Sequence, residues 1–398
     1  MKRRDFLLGT GTVTVLGLIS ACSSQQQASL RIRLLKDSIP AQLLNKFRQE
    51  FQQIGELDLT VEAQLLKLFE SLQIKPKSPD WWSRLPLLAP REKVRPSSDL
   101  VTLGDYWLAA AIEQKLIQPL DPDRLKNWQK LPLQYQRLVR RNQQGNIDLK
   151  GEVWGAPYRW GTTMIAYRKD IFQDRGFAPP QDWDVLWKPE LRDRISLLDQ
   201  PREVIGLTLK KIDRQNSYNT QQLDKIPQLK SELKALDRQV KFYSNNTYLQ
   251  PLILGDTWVA VGWSTDILPL VQRYPNIIAA VIPQSGTSLW ADLWVHPTKA
   301  SNNFDLARDW IDFGWQPEIA VLFSRFGKAA SPIFAGEKLN ELPKSIRDKQ
   351  LIFPTAEVYQ KSDFLLPLSP TAQQQYLNLW QEIRFQGLGL RDRKAGGS

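Results

Sequence analysis

The chain has 398 residues, 42% apolar and 24% charged, a water-soluble globular composition that excludes a disordered or multi-span membrane chain. Its formal charge of +11 comes from 53 Lys and Arg against 42 Asp and Glu. One cysteine and one histidine all but exclude disulfide scaffolds, Cys/His zinc sites and Ser–His–Asp or Cys–His catalysis, leaving His296 as a base with few possible partners.

Lys2-Arg3-Arg4-Asp5-Phe6-Leu7-Leu8 and the apolar or small run to Ala21 have the layout of an export signal. The run is too short, and too interrupted by Gly and Thr, for a dedicated membrane span. Adjacent Arg3 and Arg4 ahead of Asp-Phe-Leu-Leu resemble a twin-arginine signal. Ile19-Ser20-Ala21-Cys22 resembles a bacterial lipobox, in which Cys22 becomes the lipidated N-terminus; the plainer reading is an ordinary cysteine within the signal. Cleavage before Cys22 leaves 377 residues, which suits two domains of about 150–200 residues rather than one core. The signal carries two of the eleven net charges, so the mature chain keeps +9. The polar, Gln-rich stretch to Ser29 suits a flexible tether.

Leu30, Ile32 and Leu34 alternate with basic residues, which predicts a half-buried strand. Ser38 and Pro40 then start a helix with Leu43, Leu44, Phe47 and Phe51 on one face. A strand over 57–61, a helix over 63–72, a strand over 99–103 and a helix over 106–116 follow. Residues 75–96 hold five prolines with Trp81 and Trp82, which predicts an inserted surface loop. The second half predicts extended chain over 158–167, a short helical stretch over 183–190, a strand over 195–198 and a helix from Pro201. A long, mostly solvated charged helix over 219–239 is expected next. Then come strands at 257–263, 277–282 and 289–295, with helices from Thr265 and over 304–313, 317–326 and 371–385. Strands alternating with helices argue for an α/β fold with largely parallel sheet. No internal repeat, P-loop or dinucleotide fingerprint is present, and no cofactor or metal is expected.

Five blocks in order carry a resemblance. They are Pro157-Tyr158-Arg159-Trp160-Gly161-Thr162-Thr163 ahead of Tyr167, Trp183-Asp184-Val185-Leu186-Trp187-Lys188-Pro189-Glu190, Leu197-Leu198-Asp199-Gln200-Pro201-Arg202-Glu203-Val204, Val261-Gly262-Trp263-Ser264 and Leu289-Trp290-Ala291-Asp292. Together they resemble the polyamine-binding components of ABC importers, a branch of the type II periplasmic solute-binding proteins. The resemblance implies two α/β lobes, each a mixed, mainly parallel sheet flanked by helices, joined by two crossing strands and closing over a ligand. The lobes are expected at 30–157 with 290–345, and at 158–289 with 346–398, after a signal and tether over 1–29. It also implies a monomer, an extracytoplasmic location at a membrane, a small-molecule solute and ABC permease subunits as partners, and no enzymatic turnover.

A polyamine needs carboxylates for its ammonium groups and aromatic faces for cations and methylenes. The resemblance places Glu203 and Asp292 as carboxylates, Trp263 and Trp290 as walls, and Tyr106, with Trp107 beside it, as a pocket aromatic. It also marks departures: Leu35 where the family has tryptophan, Gln200 in place of a second carboxylate, and Lys328 in place of a tyrosine. A buried Lys328 would need a partner, with Glu203 or Asp292 as candidates.

Each residue has a plainer reading. Glu203 stands in the first turn of a helix started by Pro201, where the dipole and a capping box favour an acid. Trp263 at a strand end is a core candidate, and Tyr158 and Trp160 read as packing. Strand alternation puts Trp290, Asp292 and Trp294 on one face, so Asp292 calls for a partner, a ligand cation or Lys328. Two rival classes stand beside a binding protein: a two-carboxylate glycosidase using Glu203 and Asp292, and a nucleic-acid binder suggested by the basic charge. The basic residues are spread rather than clustered, which speaks against the latter. The expected ligand is a polyamine-like or other amine-containing cation, with a non-polyamine solute such as an organic anion or sugar as the alternative.

Overall fold

Alternation settles the first strand: Leu30, Ile32 and Leu34 are buried along Leu30–Leu35 while the residues between them are half-exposed. This strand lies between Leu57–Glu62 and Leu100–Gly104 and pairs in parallel with both. Helices Ala41–Glu50 and Leu65–Gln73 cover it through Leu43, Phe47, Leu68, Phe69 and Leu72. The structure is a computed structural model that describes residues 29–51, 57–73, 98–300 and 304–395, with side chains as far as 385. The signal with Arg3, Arg4 and Cys22, and the 75–96 loop, lie outside the described residues.

One sheet runs through the molecule. Its main path is Leu57–Glu62, Leu30–Leu35, Leu100–Gly104, Ser288–Pro297, Ala156–Arg168, Val259–Trp263, Ile195–Leu197 and Val240–Tyr243. Every antiparallel pairing in this sheet involves one of the two long central strands, Ala156–Arg168 and Ser288–Pro297. These are the crossing strands expected from the resemblance. The first pairs with the second through residues 156–162, then with Val259–Trp263 through 163–167. It therefore changes partner between Thr162 and Thr163. Thirteen residues of nearly continuous burial make it fit to run through the interior.

Buried apolar side chains form two clusters. One gathers Phe47, Leu103, Tyr135, Leu293 and Trp310. The other gathers Ile165, Trp183, Leu207, Leu236 and Val261 and is closed by Tyr376, Trp380 and Ile383 of the last helix. Ile352, Phe353 and Tyr359 join the first cluster.

The expected helix over 219–239 is corrected to Leu229–Gln239. Pro227 lacks an N–H and biases the residue before it away from helix. Asn219 is instead tied to the chain end, donating from Nδ2 to the Phe364 carbonyl at 2.8 Å and accepting from the Leu366 N–H at 2.9 Å. One face of the helix is buried through Leu229, Leu233, Leu236 and Asp237. Expected helix 106–116 begins as a single 3-10 turn, Asp105–Trp107, before Leu108–Glu113.

Helix Pro201–Ile212 carries the central acid of the site, and Gly206 sets its height against Tyr218. A Cβ there would lie 2.0 Å from Tyr218 Cδ1, and that ring is fully buried. Gly206→Ala gains about 1 kcal/mol of helix propensity but overpacks the core at a cost of roughly 1–3 kcal/mol or more. Net destabilisation is expected in urea unfolding, against the usual direction for glycine to alanine in a helix.

Candidate functional site

Pro201 at the first helical position and Gln200 at the N-cap place Glu203 in the first turn of Pro201–Ile212. The Gln200 side chain makes no cap hydrogen bond, and Glu203 does not serve a capping box. Its carboxylate instead accepts from Thr163 Oγ1 at 3.1 Å and Ser288 Oγ at 2.5 Å, one residue from each crossing strand. The Trp263 side chain is near enough to favour its charged form as well. Glu203 is only 5% exposed, and burial pushes its carboxyl above the usual range, partly offset by Ser288, Thr163, Trp263 and the nearby Arg202 charge. Among the described residues no cation lies within ion-pair distance; neighbouring Arg202 turns away to the Leu366 and Tyr218 carbonyls and Asn219 Oδ1.

Trp263 ends strand Val259–Trp263 and stands half-buried at the start of helix Ser264–Arg273. One turn on, Asp266 accepts a hydrogen bond from Tyr248 Oη at 2.8 Å, and the same hydroxyl accepts from the Trp263 N–H at 3.2 Å. Burial raises the Asp266 carboxyl, while Arg159 and Lys328 are near enough to pull it down. Asp266 was not singled out from the sequence; its only signal was an acid in a first helical turn, which the dipole explains equally well.

Trp290 lies across the first crossing strand at Gly161. A Cβ on Gly161 would meet Trp290 Cζ2 at 2.3 Å and Ser264 Oγ at 2.4 Å. Only glycine admits that ring there. Trp290 Nε1 reaches the Thr162 carbonyl at 3.4 Å, and the Arg159 guanidinium lies 5.8 Å from the ring centre.

Asp292 has a partner that neither sequence candidate supplied. Arg159 Nε donates to Asp292 Oδ2 at 2.6 Å and its terminal nitrogen lies 2.5 Å from the same oxygen, with side chains only 5% and 2% exposed. The pair stands directly across the ladder, beside a β-bulge. Asp292 is opposite Arg159 and Leu293 opposite Pro157, so Tyr158 is the extra residue. The bulge lets adjacent Tyr158 and Arg159 both serve the second strand's one face. Tyr158 stacks on Trp294 at 4.2 Å while Arg159 binds Asp292. Trp294 and Trp160 are core residues, 3% and 1% exposed.

Lys328 is the second correction. It pairs with neither Glu203 nor Asp292; its amine lies 3.2 Å from Asp37 Oδ2, both groups being exposed. Asp37 follows Leu35 at the end of the first strand, so the pair forms at the surface where no desolvation forces a deeper partner. Tyr106 is 55% exposed, edge-on to Trp107 at 5.5 Å and close enough to Arg202 to act on its charge. Trp107 itself stacks on Phe69 at 4.7 Å and is packing.

Beside Tyr106, Asp105 is buried and accepts the Ala291 N–H at 3.0 Å. Burial first, and the Asp292 charge next, push its carboxyl up to about 7, against the Ala291 N–H and Arg141, which lower it. His296 is remote from this region; it is buried, with Nδ1 3.0 Å from the Asp99 carbonyl and Phe304 against its ring.

Two half-folds meeting at crossing strands, with carboxylates and indoles collected at the crossing, define a two-lobed solute-binding fold of type II. A family model described as bacterial extracellular solute-binding protein matches residues 95–357. The chain belongs to that family. The putrescine-binding periplasmic protein PotF of Escherichia coli is 24% identical over 306 residues, 72% of this chain and 78% of PotF. The putrescine-binding periplasmic protein SpuD of Pseudomonas aeruginosa is 26% identical over 307 residues, again 72% and 78%. Among solved structures, the spermidine/putrescine ABC transporter substrate-binding protein PotD of Streptococcus pneumoniae superposes with a TM-score of 0.73 at 19% identity. That match covers 90% of this chain and 99% of PotD.

Two outcomes follow from the buried charges. Asp292→Ala leaves Arg159 buried and unpaired and is expected to cost about 3–5 kcal/mol in chemical unfolding, before any ligand is added. Asp105 keeps its proton to higher pH in the folded than in the unfolded chain, so its contribution is present below pH 3.8 and lost as pH rises towards about 7. Melting temperatures of wild type and Asp105→Asn should therefore shift in favour of the variant across that window. Parallel curves would show that Asp105 does not titrate there.

Proposed function

We propose that this chain is the capture component of an ABC importer, taking a polyamine-like or other amine-containing cation into the cleft between two lobes and delivering it to a permease. The lobes proposed are 30–157 with 290–345, and 158–289 with 346–398. The proposal includes twin-arginine export through Arg3 and Arg4, and a lipid on Cys22 holding a monomer at the membrane face. The observation that carries the ligand reading is Glu203: a buried carboxylate with two hydroxyl donors, the Trp263 side chain beside it and, among the described residues, no cation within ion-pair distance, Arg202 acting on it only from farther off. A buried acid in that state gains most from an ammonium, which adds a charge-assisted hydrogen bond where desolvation has already been borne by the fold. The names of PotF, SpuD and PotD point the same way.

The mechanism is binding, not turnover. Glu203 sits where both crossing strands and the Pro201–Ile212 helix converge, so a ligand held there touches the elements that must move together on closure. Ligand contacts made only in the closed form would shift the population toward it, and that form would dock on the permease. The alternative, an organic anion or sugar, draws on Lys328 and Gln200. Lys328 is already matched by Asp37, which leaves the alternative little support.

A thermal-shift screen of polyamines, amino acids, thiamine-like cations, sugars and organic anions tests this reading. An amine should raise the melting temperature, and Glu203→Gln should weaken that amine by about 10–100-fold in calorimetry. Stabilisation by an anion alone would sink the reading. For the anchor, mass spectrometry of the mature N-terminus should find a lipid-modified Cys22; an unmodified Cys22 within an intact chain would rule it out.

A further inference from the structure

Resting on the amine reading above, we infer that Arg159 is a built-in substitute for a ligand ammonium: it closes the Asp292 end of the cleft to cations and limits the solute to a short amine. The geometry is that of a cation already bound. Two guanidinium nitrogens lie 2.6 Å and 2.5 Å from one Asp292 oxygen, the pair is almost wholly buried, and the guanidinium also rests 5.8 Å from the Trp290 ring and 5.9 Å from the Tyr158 ring. Carboxylate plus aromatic face is the chemistry that receives an ammonium. Here the chain provides the cation from the strand opposite, at the bulge.

A ligand ammonium does not displace it. Removing the guanidinium from Asp292 would strand a buried charge, a larger cost than one charge-assisted hydrogen bond returns. The carboxylate left for a solute is Glu203; Asp266, one turn beyond Trp263, also has no ion-pair partner among the described residues but lies within electrostatic reach of Arg159 and Lys328. Tyr248 Oη bonds Asp266 and accepts from the Trp263 N–H, and the Trp263 side chain acts on Glu203, which links the two acids through that residue. On the Asp266 side stand matched pairs, Arg159 with Asp292 and Lys328 with Asp37. Lengthening a ligand by a further charged amine toward that side therefore adds no affinity.

Calorimetry of the full chain with butylamine, 1,4-diaminobutane and the triamine spermidine tests this directly, and the wild-type comparison needs no variant. The triamine is expected to bind no tighter than the diamine. Arg159→Met frees Asp292 and should raise the triamine over the diamine by about tenfold, while the Arg159→Met/Asp292→Asn double variant should lose that gain. A change in ligand ranking is not produced by a purely structural role for Arg159, and circular dichroism checks that each variant is folded. If Arg159→Met does not fold, the wild-type ranking decides. A wild-type preference of about tenfold or more for the triamine overturns this inference and leaves the amine reading standing. No binding of any of the three amines, with another solute class found in the screen, overturns both. An unchanged ranking in folded Arg159→Met also overturns it.

Discussion

Three carboxyl groups, Asp105, Glu203 and Asp292, are buried where the two long strands cross, and among the described residues only Asp292 has a cation within ion-pair distance. How each acid is balanced governs the rest. Asp292 is neutralised by Arg159 and so ties the two strands together. Asp105 is held by a backbone N–H and drawn toward protonation. Glu203 is solvated by hydroxyls and an indole, which keeps it in place without cancelling its charge. A buried charge left in that condition is costly to a fold and useful to a binding site.

The sheet makes this arrangement possible. Parallel outer strands require helical crossovers, and those helices bring acid-bearing first turns, Glu203 and Asp266, to the crossing. The antiparallel central strands bring hydroxyls and indoles from far apart in the chain: Thr163 and Ser288 both reach Glu203, and Trp290 lies over Gly161. The acid lies where the first central strand changes partner, between Thr162 and Thr163.

Much of this was legible in the residues. The alternation of Leu30, Ile32 and Leu34, the proline that starts the Glu203 helix and the long apolar run through Ala166 each show their element, because their signals are local. The ordered motifs carried the family, and with it Glu203, Trp263 and Trp290 as neighbours. Arg159 lies within the first of the five motifs, yet nothing local marks it as the partner of Asp292. Strict alternation turns it away from the face of Tyr158, and only the bulge brings both to the second strand. Lys328 was given the wrong acids because its partner, Asp37, lies 291 residues away in sequence.

The chain's +11, read first as a hint of acidic partners, bears little on the cleft, where charge is matched pair by pair over a few ångströms. The sequence by itself determined the elements, their alternation and the kinds of side chain collected at the site, since these follow from periodicity, caps and short motifs. Tertiary structure alone decided which carboxylates keep their charge open. That depends on which residues of distant strands end up opposite one another: Asp292 faces Arg159 across the ladder, while Glu203 meets Thr163 and Ser288.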